Sequence, residues 1–283
     1  MPTLCPICRG PRLRPWGARN GYALYRCGQC EHCFADLRNY SVLSDDPTVF
    51  RQRFTHQLME TDDDYYRHLC LGEEVGQPTH ATAGLITGFL DHAKQDLPMQ
   101  GRWLDIGSGS GYLVQLLQQR RWDVVGIEPG GWGQIAAREK GIRVIQGFLD
   151  ETTFRAKFDC ISMTDVLEHQ PDPRDLLRLA GHYLCQSGVL FISVPFVDSF
   201  QGKVFGSRWS MVEPPTHCQF FSRRSFESLA RSCNFEIVET IQYNLSYPWL
   251  LGKFHAGRKM VNSLLSGYFG GDQALFIIRP RPA

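Results

Sequence analysis

The chain has 283 residues, 43% of them hydrophobic, which is enough to bury a full core and long enough for one large domain with a small accessory one. With 30 basic against 29 acidic residues the formal net charge is +1, so a disordered polyelectrolyte is excluded and nothing calls for the broad phosphate-tracking face of a nucleic-acid binder. No apolar run reaches the roughly 18 residues of a membrane span, and the opening Met-Pro-Thr-Leu-Cys lacks the basic-then-apolar pattern of a signal peptide, so the expected location is the cytoplasm.

Of ten cysteines, five fall between Cys5 and Cys33, while Cys70, Cys160, Cys185, Cys218 and Cys233 are scattered singly. In a reducing compartment such a cluster is more often metal-bound than cross-linked. Cys5-x2-Cys8 and Cys27-x2-Cys30 stand 18 residues apart, the spacing of two metal-binding knuckles. Each knuckle turns two thiolates toward one point, and four thiolates satisfy a tetrahedral Zn²⁺. A redox dithiol is the competing reading, and the spacing favours zinc. Cys33 and His32 lie just outside the second knuckle; Cys33 is able to exchange with Cys30, but a small core residue beside Phe34 is the simpler assignment. A metal with all four positions filled has no place for substrate, so its task is to fold a segment too short for its own core, residues 1–38.

Residues 39–100 carry few strand signals. Leu85, Ile86, Phe89, Leu90 and Ala93 recur at helical spacing, with Pro98 as the stop and the acidic, aromatic "ETDDDYYRH" ahead of them. This region reads as a helical linker, or a cap over the cleft of residues 101–283. There the pattern turns to strand and helix in alternation: "RWLDI", a helix through Leu113, Leu116 and Leu117, "WDVVGIE", a helix from about Gly133 to Lys140, and "IRVIQ". "KFDCISMT", a helix with Leu176, Leu177, Ala180 and Leu184, and "GVLFISV" continue it. A helix with Phe226, Leu229, Ala230 and Cys233, then "FEIVETIQ" and "QALFIIRP", complete seven strands. Such alternation requires an α/β parallel sheet with helices on both faces. An insertion at about 244–271 separates the last two strands, at a cleft edge suited to acceptor specificity or a subunit contact.

"LDIGSGSGY", Leu104 to Tyr112, puts Gly107, Gly109 and Gly111 in the turn between the first strand of this unit and its helix, where missing β-carbons let a ligand approach main-chain amides. The pattern is Asp-x-Gly-x-Gly-x-Gly, not G-x-G-x-x-G, and a carboxylate at Asp105 repels a pyrophosphate but suits a cation. Glu128 ends the next strand 17 residues beyond Gly111, where an acid accepts hydrogen bonds from both ribose hydroxyls. S-adenosylmethionine offers a ribose, an ammonium and a sulfonium, with no phosphate.

From Leu85 to Arg279 the chain resembles the class I S-adenosylmethionine-dependent methyltransferases, on "LDIGSGSG", "GIEP", "FDCISMTDVLEH" and "FISVP" in that order. "THCQFFSRRSFESLARSCNFEIVE" is similar to a segment of a bacterial subgroup whose members also carry an N-terminal four-cysteine zinc ribbon, with Glu31 here in place of a glycine. The resemblance implies a Rossmann-like, seven-stranded, mostly parallel sheet with the last strand antiparallel. It also implies that Asp105 and the three glycines face the methionine part of the cofactor, Glu128 the ribose, Pro129 the adenine edge, and Phe148 and Leu149 the adenine faces. Of the acids able to meet the adenine amino group only Asp150 is near, one or two places late; Thr164, Asp165 and Val166 line the cleft beside the sulfonium.

Methyl transfer is an in-line displacement in which the protein supplies position, desolvation and, for oxygen acceptors, a base. His217, among Trp209, Pro214, Pro215, Phe220 and Phe221, and His169, after the fourth strand of the domain, are the candidates for that base. Asp165, Glu168 and His169 also resemble the acid-rich segment that holds a divalent cation in quinone O-methyltransferases, although capping explains the same acids more cheaply. The expected function is methylation, by O- or N-transfer, of a small-molecule or glycan-intermediate acceptor. An RNA methyltransferase gripping RNA with the ribbon and a non-catalytic cofactor-binding subunit are the alternatives.

Overall fold

The computed structural model describes residues 2–38, 78–92, 101–243 and 271–282; "ETDDDYYRH", Pro98 and nearly all of the 244–271 insertion lie outside the described residues. At the N-terminus β1 (Leu13–Arg19), β2 (Tyr22–Cys27) and β3 (Cys33–Ala35) form an antiparallel meander. The β1–β2 turn is Asn20-Gly21, both at positive φ (50° and 82°), the geometry whose twist matches that of the flanking strands.

Helix α1 (Pro78–His92) begins earlier than its apolar periodicity announces, with proline at its first position, where the missing N–H costs nothing. The main sheet then follows as β4 (Arg102–Ile106), α2 (Tyr112–Gln119), β5 (Asp123–Glu128), α3 (Trp132–Lys140), β6 (Val144–Gln146) and β7 (Phe158–Thr164). Next come α4 (Pro173–Tyr183), β8 (Leu184–Pro195), α5 (Phe200–Phe205), β9 (Gln219–Phe220), α6 (Arg223–Ser232), β10 (Phe235–Tyr243) and β11 (Gln273–Pro280). Seven of these strands lie in the order β10-β11-β8-β7-β4-β5-β6. Pairing is parallel from β8 across to β6, and β11 runs antiparallel to both its neighbours.

Alternation along the central strands sorts their side chains between two cores. Leu104, Ile161, Ile192 and Phe276 face α4 and α6, while their neighbours Trp103, Cys160, Phe191 and Leu275 face α1 and α2. Asp172 caps α4 by accepting from Arg174 N at 3.0 Å, and Ser222 and Ser225 form a reciprocal cap on α6. The chain leaves β4 toward β5 on one side and returns to β7 on the other, so the crevice at the C-terminal ends of β4 and β7 is the sheet's switch point.

The ribbon is built into this body. β9 is the fourth strand of its sheet, pairing antiparallel with β3 through Cys33–Phe220 and Phe34–Gln219. Cys5, Ile7, Cys27 and Cys30 join the core on the α4 and α6 face, and Leu24, Cys33, Ala35, Trp209, Val212, Cys218 and Phe220 form a third core between ribbon and sheet. Arg9 pairs with Asp172, and Arg174 donates to the Ile7 carbonyl. Among the described residues no helix is long and apolar enough to cross a membrane.

Candidate functional site

The glycine turn opens at the C-terminal end of β4. Gly107 and Gly109 sit at φ of 70° and 49°, where an L side chain is strained. A β-carbon on Gly107 would come within 2.5 Å of Val166 Cγ2, whereas one on Gly109 would meet nothing within 4 Å, which marks Gly109 as the open side of the turn. Buried Glu128 closes the other side: its Oε2 accepts from Gly109 N at 2.9 Å and its Oε1 from Gly130 N at 2.8 Å. Burial raises the pKa of this carboxyl, and the two amides oppose the rise.

Asp105 is 1% exposed, and its Oδ1 accepts from Ser162 Oγ at 2.6 Å. Ser162 is oriented in turn by Trp103 Nε1, which donates to the same hydroxyl at 2.8 Å. Burial, with a smaller push from the Glu128 charge and against the Ser162 bond, brings Asp105 up to about 7. Pro129 and Phe148 are half-buried and Leu149 buried, all at the C-terminal ends of β5 and β6. Asp150 is exposed and caps a turn, its Oδ1 accepting from Thr152 N at 2.7 Å and from the Thr152 and Thr153 hydroxyls at 2.8 and 3.0 Å.

Thr164, Asp165 and Val166 follow at the end of β7, all half-buried. Asp165, at φ 54°, accepts from Ser193 Oγ at 3.3 Å; that hydroxyl bonds Tyr243 at 2.7 Å, and Tyr243 bonds Thr82 of α1 at 2.6 Å. Burial above all lifts the Asp165 carboxyl to about 6.

A single 3-10 turn, Leu167–His169, then carries Glu168 and His169 to the loop that holds His217. The two histidines, 48 positions apart, meet with ring centroids 4.8 Å apart at 71°. His169 Nδ1 donates to Thr216 O at 2.8 Å and His217 Nδ1 to Met211 O at 2.9 Å. A carbonyl only accepts, so each neutral ring keeps its Nε2 as a bare lone pair. Burial lowers the pKa of both rings, that of His169 to about 3. Beside them Glu168 is fully buried with neither oxygen hydrogen-bonded, Oε1 standing 3.9 Å from His169 Nε2. Burial and the Asp165 charge hold its carboxyl well above the usual carboxylate range. One ligand atom each from Glu168, His169 and His217 fall within 4.8 Å of one another, a set able to hold a cation.

Two histidines that the sequence offers as alternatives therefore occupy one place. Of the aromatics near His217, Trp209 and Phe220 fill the core shared with the ribbon, and Phe221 lies tilted against His32 and edge-on to Phe226.

The second cluster is in the ribbon. Cys5 and Cys30 sulfurs lie 3.6 Å apart, those of Cys8 and Cys27 3.5 Å, and all four fall within 4.8 Å of one another. A tetrahedron with zinc–sulfur bonds of about 2.3 Å has edges of about 3.8 Å, so the four thiols fit a zinc ion. Burial pushes the Cys8 thiol up to about 11, so a thiolate at Cys8 needs a cation beside it. Glu31 sits at φ 64°, a left-handed position that favours glycine, and its carboxylate meets Arg224 at 3.1 Å and Arg26 at 3.5 Å.

Residues 79–240 match the family described as "Methyltransferase domain". A ubiquinone biosynthesis O-methyltransferase of Azorhizobium caulinodans is 30% identical over 169 residues, covering 55% of this chain and 67% of that protein. One from Xylella fastidiosa is 34% identical over 115 residues, 37% of this chain and 46% of that protein, so the chain spans under half of this second relative. The solved structure of Burkholderia thailandensis 1,6-didemethyltoxoflavin-N1-methyltransferase, bound to 1,6-didemethyltoxoflavin and S-adenosylhomocysteine, aligns over 95% of this chain and 100% of its own with a TM-score of 0.54. At 16% identity that likeness is one of fold.

Proposed function

We propose, for a chain that belongs to the class I S-adenosylmethionine-dependent methyltransferases, that the acceptor is a hydroxyl of a small molecule or glycan intermediate and that His217 takes its proton. The acceptor oxygen attacks the methyl carbon, the carbon–sulfur bond breaks with its electron pair passing to sulfur, and the hydroxyl proton leaves to an imidazole Nε2. Asp105 faces the ammonium of the cofactor, Gly107, Gly109 and Gly111 give its methionine part access to the main chain, and Glu128 takes the ribose. Pro129, Phe148 and Leu149 border the adenine, and Thr164, Asp165 and Val166 the sulfonium. Cys5, Cys8, Cys27 and Cys30 hold a structural zinc.

The observation that carries the oxygen chemistry is a pair of adjoining imidazoles, 4.8 Å apart, each fixed by a main-chain bond at its Nδ1 that leaves Nε2 to take a proton. The chain's relatives among the O-methyltransferases of ubiquinone biosynthesis agree with an oxygen acceptor. The unpartnered oxygens of Glu168 favour a second reading, in which Glu168, His169 and His217 hold a divalent cation that acidifies the hydroxyl. Transfer of a labelled methyl group to a panel of catechols, other phenols, sugars and amines tests the first reading. Labelled amines with no labelled hydroxyl would overturn it. A Glu168→Gln variant, and dialysis that removes weakly held ions but leaves one zinc per chain, separate the two: under the cation reading both abolish transfer, under the base reading neither does.

Asp105 makes a further expectation measurable. A carboxyl raised to about 7 in the fold, against 3.8 ordinarily, lends stability that is whole below about pH 4 and is lost as pH rises through 7. The ammonium group of S-adenosylhomocysteine prefers the ionised carboxyl, so its affinity should climb with pH by up to about tenfold per unit and level off above 7. Calorimetry across pH 5.5 to 8.5 checks this, and Asp105→Asn should flatten the profile; a flat profile in the unaltered protein would remove Asp105 from the ammonium site.

A further inference from the structure

Gln219 stands where three segments meet. Its main chain is the register partner of Phe34 in the β3–β9 pair, and its side chain is 3% exposed. Its Nε2 donates to Gln170 O at 3.0 Å and Pro171 O at 3.1 Å, directly after the turn of Glu168 and His169. With both N–H bonds given, its Oε1 accepts, and His32 Nε2 lies 2.8 Å from it. His32 is 0% exposed and therefore carries its proton on Nε2, which agrees with a buried Nδ1 that has no partner. Its ring is parallel to Phe34 at 6.0 Å and tilted against Phe221 at 5.1 Å.

Main-chain bonds run beside this side-chain bridge. Cys27 N donates to His32 O at 2.8 Å, Ala35 N to Cys218 O at 2.9 Å, and Cys218 N to Glu168 O at 2.9 Å. Hydrogen bonds thus lead from the second cysteine knuckle through His32 and Gln219 to the turn that holds His169, and through Cys218 to the loop that holds His217. His169 ends a single 3-10 turn and His217 lies in a loop, so neither is on a strand or an α-helix. Both depend on neighbours for position, and an isolated loop would not keep two imidazoles at 4.8 Å.

We propose that Gln219 is a positioning residue through which the metal-bound ribbon sets the His169–His217 pair, so that the ribbon frames the reaction site and is not a separate grip. Its effect on turnover rests on the reading of that pair given above; its effect on the geometry of the pair does not.

His32→Phe keeps the stacked ring and deletes only the donor to Gln219. In the full-length, zinc-loaded protein the nitrogen and carbon NMR signals of the His169 and His217 rings should shift or broaden, although neither ring touches His32. Zinc content and S-adenosylhomocysteine affinity should stay within twofold of the unaltered protein. With a catechol as acceptor kcat should fall about tenfold or more, with the cofactor KM little changed, as misplacement of a catalytic group predicts. Gln219→Met, which removes both ends of the bridge, is the second variant if His32→Phe does not fold. Unchanged ring signals in a folded, zinc-loaded variant would overturn the proposal. If His169→Ala and His217→Ala both turn over normally, the base assignment fails, and the ring signals still decide whether Gln219 positions the pair.

Discussion

His217→Ala is expected to lower turnover by about 10²- to 10⁴-fold, the usual contribution of a positioned base, while S-adenosylhomocysteine affinity stays within about twofold. The glycine turn, Asp105 and Glu128 lie on β4 and β5, whereas His217 is held by Met211 O on a loop beyond β8, so losing the ring does not disturb the cofactor cradle. His217→Asn should not rescue, because an amide cannot take the proton. The contact between the rings adds a condition that the sequence does not supply. His169→Ala removes a neighbour 4.8 Å away, so it should also slow transfer, and the double variant should cost less than the product of the single effects. Single-turnover rates with a labelled methyl group measure all three. Near-normal rates for His217→Ala with a deep loss for His169→Ala would move the base to His169; normal rates for both would leave proximity as the source of catalysis.

What could be read from the chain followed local patterns. Apolar strand runs alternating with helix-spaced segments, and the glycine turn with acids at two strand ends, pointed to the sheet and its cofactor turn, because strand, helix and turn patterns are short-range properties. Asp-x-x-Glu-His stood in view as a motif for the same reason, whereas the Asn20-Gly21 turn of the ribbon hairpin was found only in the structure. Contacts between distant segments were not legible. His169 and His217 meet across 48 positions next to β9, and a strand of two residues, Gln219–Phe220, has no periodicity to announce its pairing with the ribbon. The aromatics around it carry no signal of their own, since a buried aromatic reads the same whether it packs on substrate or on another layer of protein. Trp209 and Phe220 pack on the ribbon. Glu168 shows the converse: its motif was legible, but its full burial without a partner follows from packing alone.

Loss of the ribbon metal should have the largest effect on stability, and it should reach beyond the ribbon. The purified protein is expected to contain about one zinc per chain, and the Cys8→Ser, Cys27→Ser double variant none. Structural zinc sites contribute about 10 to 16 kcal/mol of apparent binding free energy, comparable with the entire stability of a typical domain, about 5 to 15 kcal/mol. An isolated ribbon would simply unfold. Here Cys5, Cys27 and Cys30 belong to the core on the α4 and α6 face, and Leu24, Cys33 and Ala35 cover Trp209, which is 1% exposed. Unfolding residues 2–38 therefore uncovers Trp209, removes the partner strand of β9 and frees Gln219 from His32. Stripping the zinc should shift Trp209 emission to the red and lower the melting temperature, while S-adenosylhomocysteine still binds at the distant turn of β4. A Trp209→Phe control assigns the signal among the chain's 6 tryptophans. Stoichiometric zinc in the double variant would refute the four-cysteine site; an unchanged Trp209 spectrum after metal loss would mean that the ribbon keeps its place on β9 without the ion.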